Sequence, residues 1–377
     1  MDDKRERTLA VPAALLTAAR ARDVAAVAAC YAEDAVAISP MFGEARGRDR
    51  IAATWATLFS TFIEVTVADT AEPMVDDNRV AVFASLSTVD RIGWFGRPPT
   101  GETIAYRLVL IFTVVDGVIV RDERLYDSAG LLERLEKNRI DKELRTASEV
   151  QRALVPRTAR AGQFCEWIGD SLPCRAIGGD FFEFIELPSG SVGIVLGDVA
   201  GKGPAAALLA ALVQGMFAVE ATTGDGPAAI LARINQRLLA RRIEPRFVTL
   251  VYGVLSTDGR LRYSNAGHNP PLLMSSRGLT RLDAGGMPLG ALAQASLAED
   301  TLVLVHGDTL VMFTDGVTEA RDPNGEEFGE DRLTACISAY ATATPATLMD
   351  QVFSTVKAFC QDAEPTDDIT VTAMRYN

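Results

Sequence analysis

The chain has 377 residues, 48% of them hydrophobic, and a formal net charge of −13, so two packed domains are expected. That acidity argues against nucleic acid or an anionic membrane as partner, and no run approaches the ~20 apolar residues of a spanning helix. The start MDDKRERTLAVP has no signal-peptide core, and five cysteines (Cys30, Cys165, Cys174, Cys336, Cys360) without a CxxC pair, beside two histidines, read as reduced core thiols of a cytoplasmic protein rather than a zinc site.

In chain order, Leu9 to Ala21 is Ala-rich and helical, and Asp23 is placed to cap a second helix over Val24–Tyr31. Ile51, Trp55 and Leu58 mark a third helix, Arg48–Phe59. The period then changes. Ile63–Val67, Val80–Asp90, Ile104–Val115 and Val118–Tyr126 read as strands, with a hairpin turn at Asp116-Gly117. Three helices followed by strands predict an α+β domain with one curved antiparallel sheet. Tyr31, Phe42, Trp55, Trp94 and Tyr106 either line a pocket there or fill its core. Asp122 and Asp127 are the candidates for a buried acid.

A charged helical connector follows over Ser128–Leu154, closed by Pro156. Ile140, Leu144, Ala147, Gln151 and Leu154 recur at coiled-coil spacing, with a polar Gln in the seam. The same spacing fits an amphipathic helix lying on a neighbouring domain. Strands dominate after Gly162, with helices at Pro204–Ala221, Pro227–Arg242, Glu330–Tyr340 and Pro345–Phe359 and a last strand Ile369–Met374. This order predicts a layered α-β-β-α sandwich. The expected division is 1–129, a connecting helix 130–156, and 157–377.

Four acid-bearing segments carry the chemistry: Gly178-Gly179-Asp180, the stretch GDVAGKG containing Asp198, Thr314-Asp315-Gly316, and Thr366-Asp367-Asp368-Ile369-Thr370. Each acid sits beside Gly or a turn residue at the tip of an apolar run. Unpaired carboxylates brought together are costly unless a divalent cation neutralises them, and oxygen-only ligands select Mg²⁺ or Mn²⁺. Singly, each acid is equally well a turn or helix-cap residue.

The strings RAIGGDFF, GDVAGKGPAAALLAA, YSNAGHNPPLL, GGMPLG, LVMFTDGVTEARD and TDDITV, in this order over residues 150–377, resemble the metal-dependent protein phosphatases of the PPM superfamily, SpoIIE-like branch. The resemblance implies two Mn²⁺ or Mg²⁺ ions and a water activated between them. It implies that Asp198 bridges the ions, that Val199 lends its carbonyl, and that Asp180 lies on the second metal's side. Asp315 and Asp367 match the acids of the first metal; Asp368, the adjacent position, is either a further ligand or the residue just behind Asp367. Arg175 is a candidate for the substrate phosphate or else a salt-bridged surface residue. Lys202 reads as a surface or substrate-facing residue, and His268 as a structural histidine or a general acid. Ala176 and Glu183 depart mildly from the pattern.

Residues 7–135, through CYAEDAV, GRDRI and VVDGVIVRDERLYD, resemble SnoaL-like, ketosteroid-isomerase-like domains, cone-shaped α+β folds around an apolar pocket. The combined resemblance implies a phosphoserine/phosphothreonine phosphatase whose substrate is a phosphorylated STAS-domain anti-sigma-factor antagonist. It would be regulated by the N-terminal domain, which takes a small apolar ligand or dimerises, within a homodimer. The competing reading is a small-molecule-binding module on a catalytically silent phosphatase scaffold.

Overall fold

The computed structural model describes residues 2–62, 64–91, 93, 98–154, 160–241, 247–293 and 296–377. Ile63, Trp94, Pro156 and Arg242, named above, lie outside them. The chain forms two compact units, Met1–Glu143 and Leu144–Asn377.

In the first unit, α1 (Asp2–Arg20) and α2 (Val24–Ala29) lead into β1 (Tyr31–Ser39) and β2 (Gly43–Arg46). Asp23 does cap α2, accepting a hydrogen bond from the Ala26 N–H. Next come α3 (Arg48–Thr61), β3 (Val65–Asp69), β4 (Met74–Asp76), β5 (Arg79–Val89), β6 (Thr103–Val115) and β7 (Val118–Leu125). β1 and β2 are absent from the sequence reading. Tyr31 starts a strand rather than ending a helix, because Tyr31, Ala35 and Ala37 turn inward while Asp34 faces water. The predicted antiparallel sheet is therefore mixed: its order is β2-β1-β7-β6-β5-β3, with β1 parallel to β7. The β6–β7 turn is as expected, since Asp116 and Gly117 both take positive φ, 50° and 78°.

α4 spans Ser128–Leu154, its first turn held by Asp127 Oδ1 accepting from the Gly130 N–H at 2.8 Å. Leu131 and Leu135 are buried against Phe62 and Ile104. The division between the units falls within this helix.

The second unit continues with β8 (Arg160–Ala161), β9 (Cys165–Leu172), β10 (Phe181–Glu186), β11 (Val192–Val199), α5 (Pro204–Glu220), α6 (Pro227–Ala240), β12 (Val248–Leu255) and β13 (Arg260–Ala266). Then follow β14 (Leu272–Ser275), β15 (Gly278–Arg281), β16 (Gly285–Gly286), β17 (Asp300–Val303), β18 (Thr309–Phe313), α7 (Asp315–Thr318), α8 (Gly329–Ala339), α9 (Pro345–Cys360) and β19 (Ile369–Tyr376). One sheet has the order β10-β11-β12-β13-β16 with β17 on β13, and the other β15-β14-β18-β19-β9-β8. Three apolar clusters confirm the sandwich. α5 and α6 pack on the first sheet, α8 and α9 on the second, and Phe182, Ile194, Val251, Leu310, Met312 and Met374 fill the space between the sheets.

Pro204–Thr223, α5 with the turn after it, is long and apolar enough to cross a membrane. The sequence reading found no such run. In the fold one side of it packs, with Leu209, Val213 and Phe217 buried against the sheet, while Leu208 and Val219 are exposed. Buried Glu220 accepts from Arg233 Nε at 2.6 Å and also pairs with Arg237.

His268 is buried in the turn after β13. Asn265 ties this turn, accepting from the His268 N–H at 2.7 Å and donating to its carbonyl at 2.9 Å. The ring Nδ1 lies 2.9 Å from Thr249 Oγ1, and burial lowers the imidazole pKa to about 4. That environment favours a structural histidine over a general acid. An ordinary imidazole in the unfolded chain protonates near pH 6.5. The unfolded state therefore binds the extra proton first, and stability is lost as pH falls from about 6.5 towards 4, by up to about 3 kcal/mol from this group. Urea melts of the wild type and of His268→Gln across this range should show a shallower acid-side decline in the variant. Parallel declines would mean the ring is not desolvated as described.

Candidate metal centre

Each predicted acid sits at a strand tip. Asp180 precedes β10, Asp198 and Val199 end β11, Asp315 follows β18 and opens α7, and Asp367 and Asp368 precede β19. β10 and β11 belong to one sheet, β18 and β19 to the other, so the site lies where the ends of both sheets meet.

Glycine makes this meeting possible. A Cβ on Gly316 would lie 2.0 Å from the Asp368 carbonyl oxygen. One on Gly179 would lie 2.9 Å from the Val199 carbonyl oxygen and 3.3 Å from Asp198 Oδ1. Real Cβ atoms do not approach backbone so closely, and both positions need the bare backbone. The Val199 carbonyl thus faces Gly179, next to Asp180.

Buried Asp180 is gripped through Oδ2, which accepts from Thr314 Oγ1 at 2.8 Å and Thr370 Oγ1 at 2.5 Å. Asp368 is also buried, and both its oxygens are engaged by backbone: Oδ1 accepts from the Cys174 N–H at 2.9 Å and Oδ2 from the Gly179 N–H at 2.7 Å. These bonds brace the loop before β10 and fix the orientation of the Asp368 carboxylate. Asp367 Oδ1 accepts from the Asp368 N–H, and its Oδ2 meets the Lys202 ammonium at 2.8 Å.

Burial, with neighbouring acidic charge behind it, raises the pKa values of Asp180, Asp198 and Asp315. Burial first, then the Asp198 charge, holds Asp180 well above the usual carboxylate range. Burial, followed by Asp315, Asp367 and Asp368, pushes Asp198 up to about 7. Burial and then Asp367 raise Asp315. Carboxylates held together against their own repulsion, with a backbone carbonyl beside them, form a hard oxygen donor set suited to Mg²⁺ or Mn²⁺.

Lys202 is closer to this chemistry than its sequence suggested: its ammonium also donates to the Thr366 carbonyl, inside the acid cluster. Arg175 is exposed on the loop before Gly178 and makes no ion pair among the described residues. Cys174 is not a core thiol. It lies on the rim, its thiol and the carboxylates of Asp367 and Asp368 within 4.8 Å of one another. Burial and then the Asp368 charge push this thiol up to about 11.

Sequence reasoning missed Thr314, Thr370 and the role of Gln151. The threonines stand inside the acid motifs, and Gln151 was visible only as the polar intruder in an apolar seam. Its side chain bonds both backbone groups of Gly178, donating from Nε2 to the carbonyl at 2.8 Å and accepting at Oε1 from the N–H at 3.1 Å. The end of α4 is thereby fastened two residues from Asp180.

Residues 188–377 match the family model of stage II sporulation protein E (SpoIIE), and residues 13–122 match that of a SnoaL-like domain. Protein IcfG of Synechocystis sp. is 29% identical over 234 residues, 54% of this chain and 37% of IcfG. Phosphoserine phosphatase RsbU of Bacillus subtilis is 27% identical over 240 residues, 63% of this chain and 70% of RsbU. The chain therefore spans little more than a third of IcfG. The SiaA PP2C domain of Pseudomonas aeruginosa shares the fold with a TM-score of 0.57 at 22% identity, over 64% of this chain and 98% of that domain. The PP2C phosphatase domain of Bacillus subtilis SpoIIE with a fragment of its regulatory domain gives 0.51 at 13% identity, over 82% of each chain. With its SpoIIE match covering half of the sequence and falling on the unit that carries the acid cluster, the chain belongs to the SpoIIE family.

Proposed function

We infer that this chain is a Mg²⁺- or Mn²⁺-dependent phosphoprotein phosphatase acting on phosphoserine or phosphothreonine. Its substrate is a phosphorylated STAS-domain anti-sigma-factor antagonist in the cytoplasm, and the N-terminal unit regulates it within a homodimer. The observation that carries this reading is the convergence of Asp180, Asp198, Asp315 and Asp367 around the Val199 carbonyl with too little positive charge to balance them. The similarity to a phosphoserine phosphatase, RsbU, supports the reaction class.

Two divalent ions would be held by Asp198 between them, with Asp180 and the Val199 carbonyl on one side and Asp315 and Asp367 on the other. Ions in such a site supply a nucleophilic water near neutral pH and neutralise the phosphoryl oxygens. The chain's own residues do the positioning. Thr314 and Thr370 fix the rotamer of Asp180, and Asp368 ties the Gly179 backbone so that Asp180 keeps its place beside Asp198. Exposed Arg175 stands at the edge of the site, where an incoming phosphate needs a cation. Lys202 shields Asp367 and is a second cation within reach of an anionic substrate.

Regulation has a physical route in α4. Gln151 holds both backbone groups of Gly178, so a shift of the helix end moves the segment bearing Asp180.

Hydrolysis of a phosphoserine protein should require Mn²⁺ or Mg²⁺, stop with EDTA, and fall by about a thousandfold or more in Asp198→Asn. Turnover that survives either treatment would remove the phosphatase reading of this cluster. Gln151→Leu should fold normally yet lower turnover by roughly tenfold, about 1.4 kcal/mol of positioning, and raise the metal concentration needed for half-activity. Unchanged kinetics would reduce the Gln151–Gly178 contact to simple packing.

A further inference from the structure

The first unit encloses a cavity of about 600 Å³ between its sheet and α1 and α3, within the size range of small-molecule sites. Its wall is rich in rings, with Trp55, Phe59, Phe62, Tyr106 and Tyr126 among the lining residues. Tyr106 and Tyr126 lie 5.4 Å apart, and Trp55 and Phe59 5.6 Å apart. The charged residues on the wall are three arginines, Arg20, Arg22 and Arg124, and one acid, Glu64; Glu64 is paired with Arg91, Arg20 with Asp69 and Arg124 with Asp122.

Arg124 is built to meet an anion. It is almost wholly buried, and its guanidinium lies over the Trp55 ring at 4.4 Å. Nε and Nη2 donate to the same oxygen of Asp122, at 3.2 and 2.9 Å, and the Tyr31 hydroxyl donates to that oxygen at 2.7 Å. Asp122 is fully buried behind the wall and does not line the cavity. It acts as the anchor of Arg124 rather than as the buried base that the sequence left open. Burial works against the guanidinium charge, but the attraction and hydrogen bonds of Asp122 outweigh it. Nη1 bonds no carboxylate or carbonyl among the described residues. The hydroxyls of Ser39 and Tyr126, 3.0 Å apart, face the same cavity. A buried ion pair that served stability alone would be better packed shut than left bordering a cavity.

We propose that this cavity binds a small aromatic carboxylate, its flat body among the rings and its carboxylate on Arg124 with the Ser39 and Tyr126 hydroxyls. Charge-assisted hydrogen bonds to a desolvated guanidinium give the acid its advantage over a neutral molecule of the same shape. The ring-lined wall gives selectivity for a flat aromatic body over an aliphatic chain.

The test is calorimetric titration of the full chain with 2-naphthoate and biphenyl-4-carboxylate, each against its neutral alcohol. This readout is independent of phosphatase activity. At least one acid should bind, with roughly tenfold to hundredfold preference over its alcohol. The double variant Asp122→Asn/Arg124→Gln, which removes both buried charges together, should lose that preference. Leu86→Trp, which fills the cavity from β5, should abolish binding while leaving the chain folded. If the double variant fails to fold, the acid-to-alcohol ratio and Leu86→Trp decide the matter. Equal binding of acid and alcohol, binding unaffected by Leu86→Trp, or no binding of either acid overturns the proposal.

Discussion

The phosphatase-type unit is organised around an electrostatic conflict. Four carboxylates at the tips of strands from two sheets are held in a partly dry space, where burial and neighbouring acidic charge raise the pKa values of Asp180, Asp198 and Asp315. Folding cannot relieve this by moving them apart, because each tip is tied to a strand in the sandwich core. The relief available is positive charge, and within the chain Lys202 supplies part of it. The scaffold thus creates a place that favours bound positive charge.

The same conflict explains why so much local structure surrounds few acids. Bare backbone at Gly179 and Gly316 lets the tips approach, and buried hydroxyls of Thr314 and Thr370 hold Asp180 in one orientation. Asp368 spends both oxygens on backbone N–H groups and joins the loop before β10 to the loop before β19 across the two sheets. Gln151 extends this bracing to the end of α4. Preorganisation of this kind makes a crowded set of acids usable as a site.

The N-terminal unit solves the opposite problem. It buries a single cation beside a cavity and stabilises it with one carboxylate, a tyrosine hydroxyl and an indole face. Here the charges are paired, so the conflict is local and the remainder of the wall is free to be apolar. One unit concentrates unbalanced negative charge at its surface, and the other keeps a balanced pair inside.

Much of this was legible in the sequence. Asp180, Asp198, Asp315 and Asp367 each stand beside glycine or a turn residue at the end of an apolar run, and the limits of α4 followed from its charge and periodicity. What escaped were features without a local signature. β1 was hidden by its alanines, whose burial depends on a parallel partner, β7, more than eighty residues away in sequence. Lys202 looked like a surface residue, Cys174 like a core thiol, and Gln151 like a flaw in a heptad. Their roles arise from contacts to Asp367, Asp368 and Gly178 on distant segments. Sequence by itself determined which residues can carry charge and where the chain must turn, because side-chain chemistry and backbone preference are local. Only the tertiary structure decided which charges face one another, because long-range strand pairing sets distance and solvent exposure, and these fix the energy of a buried charge.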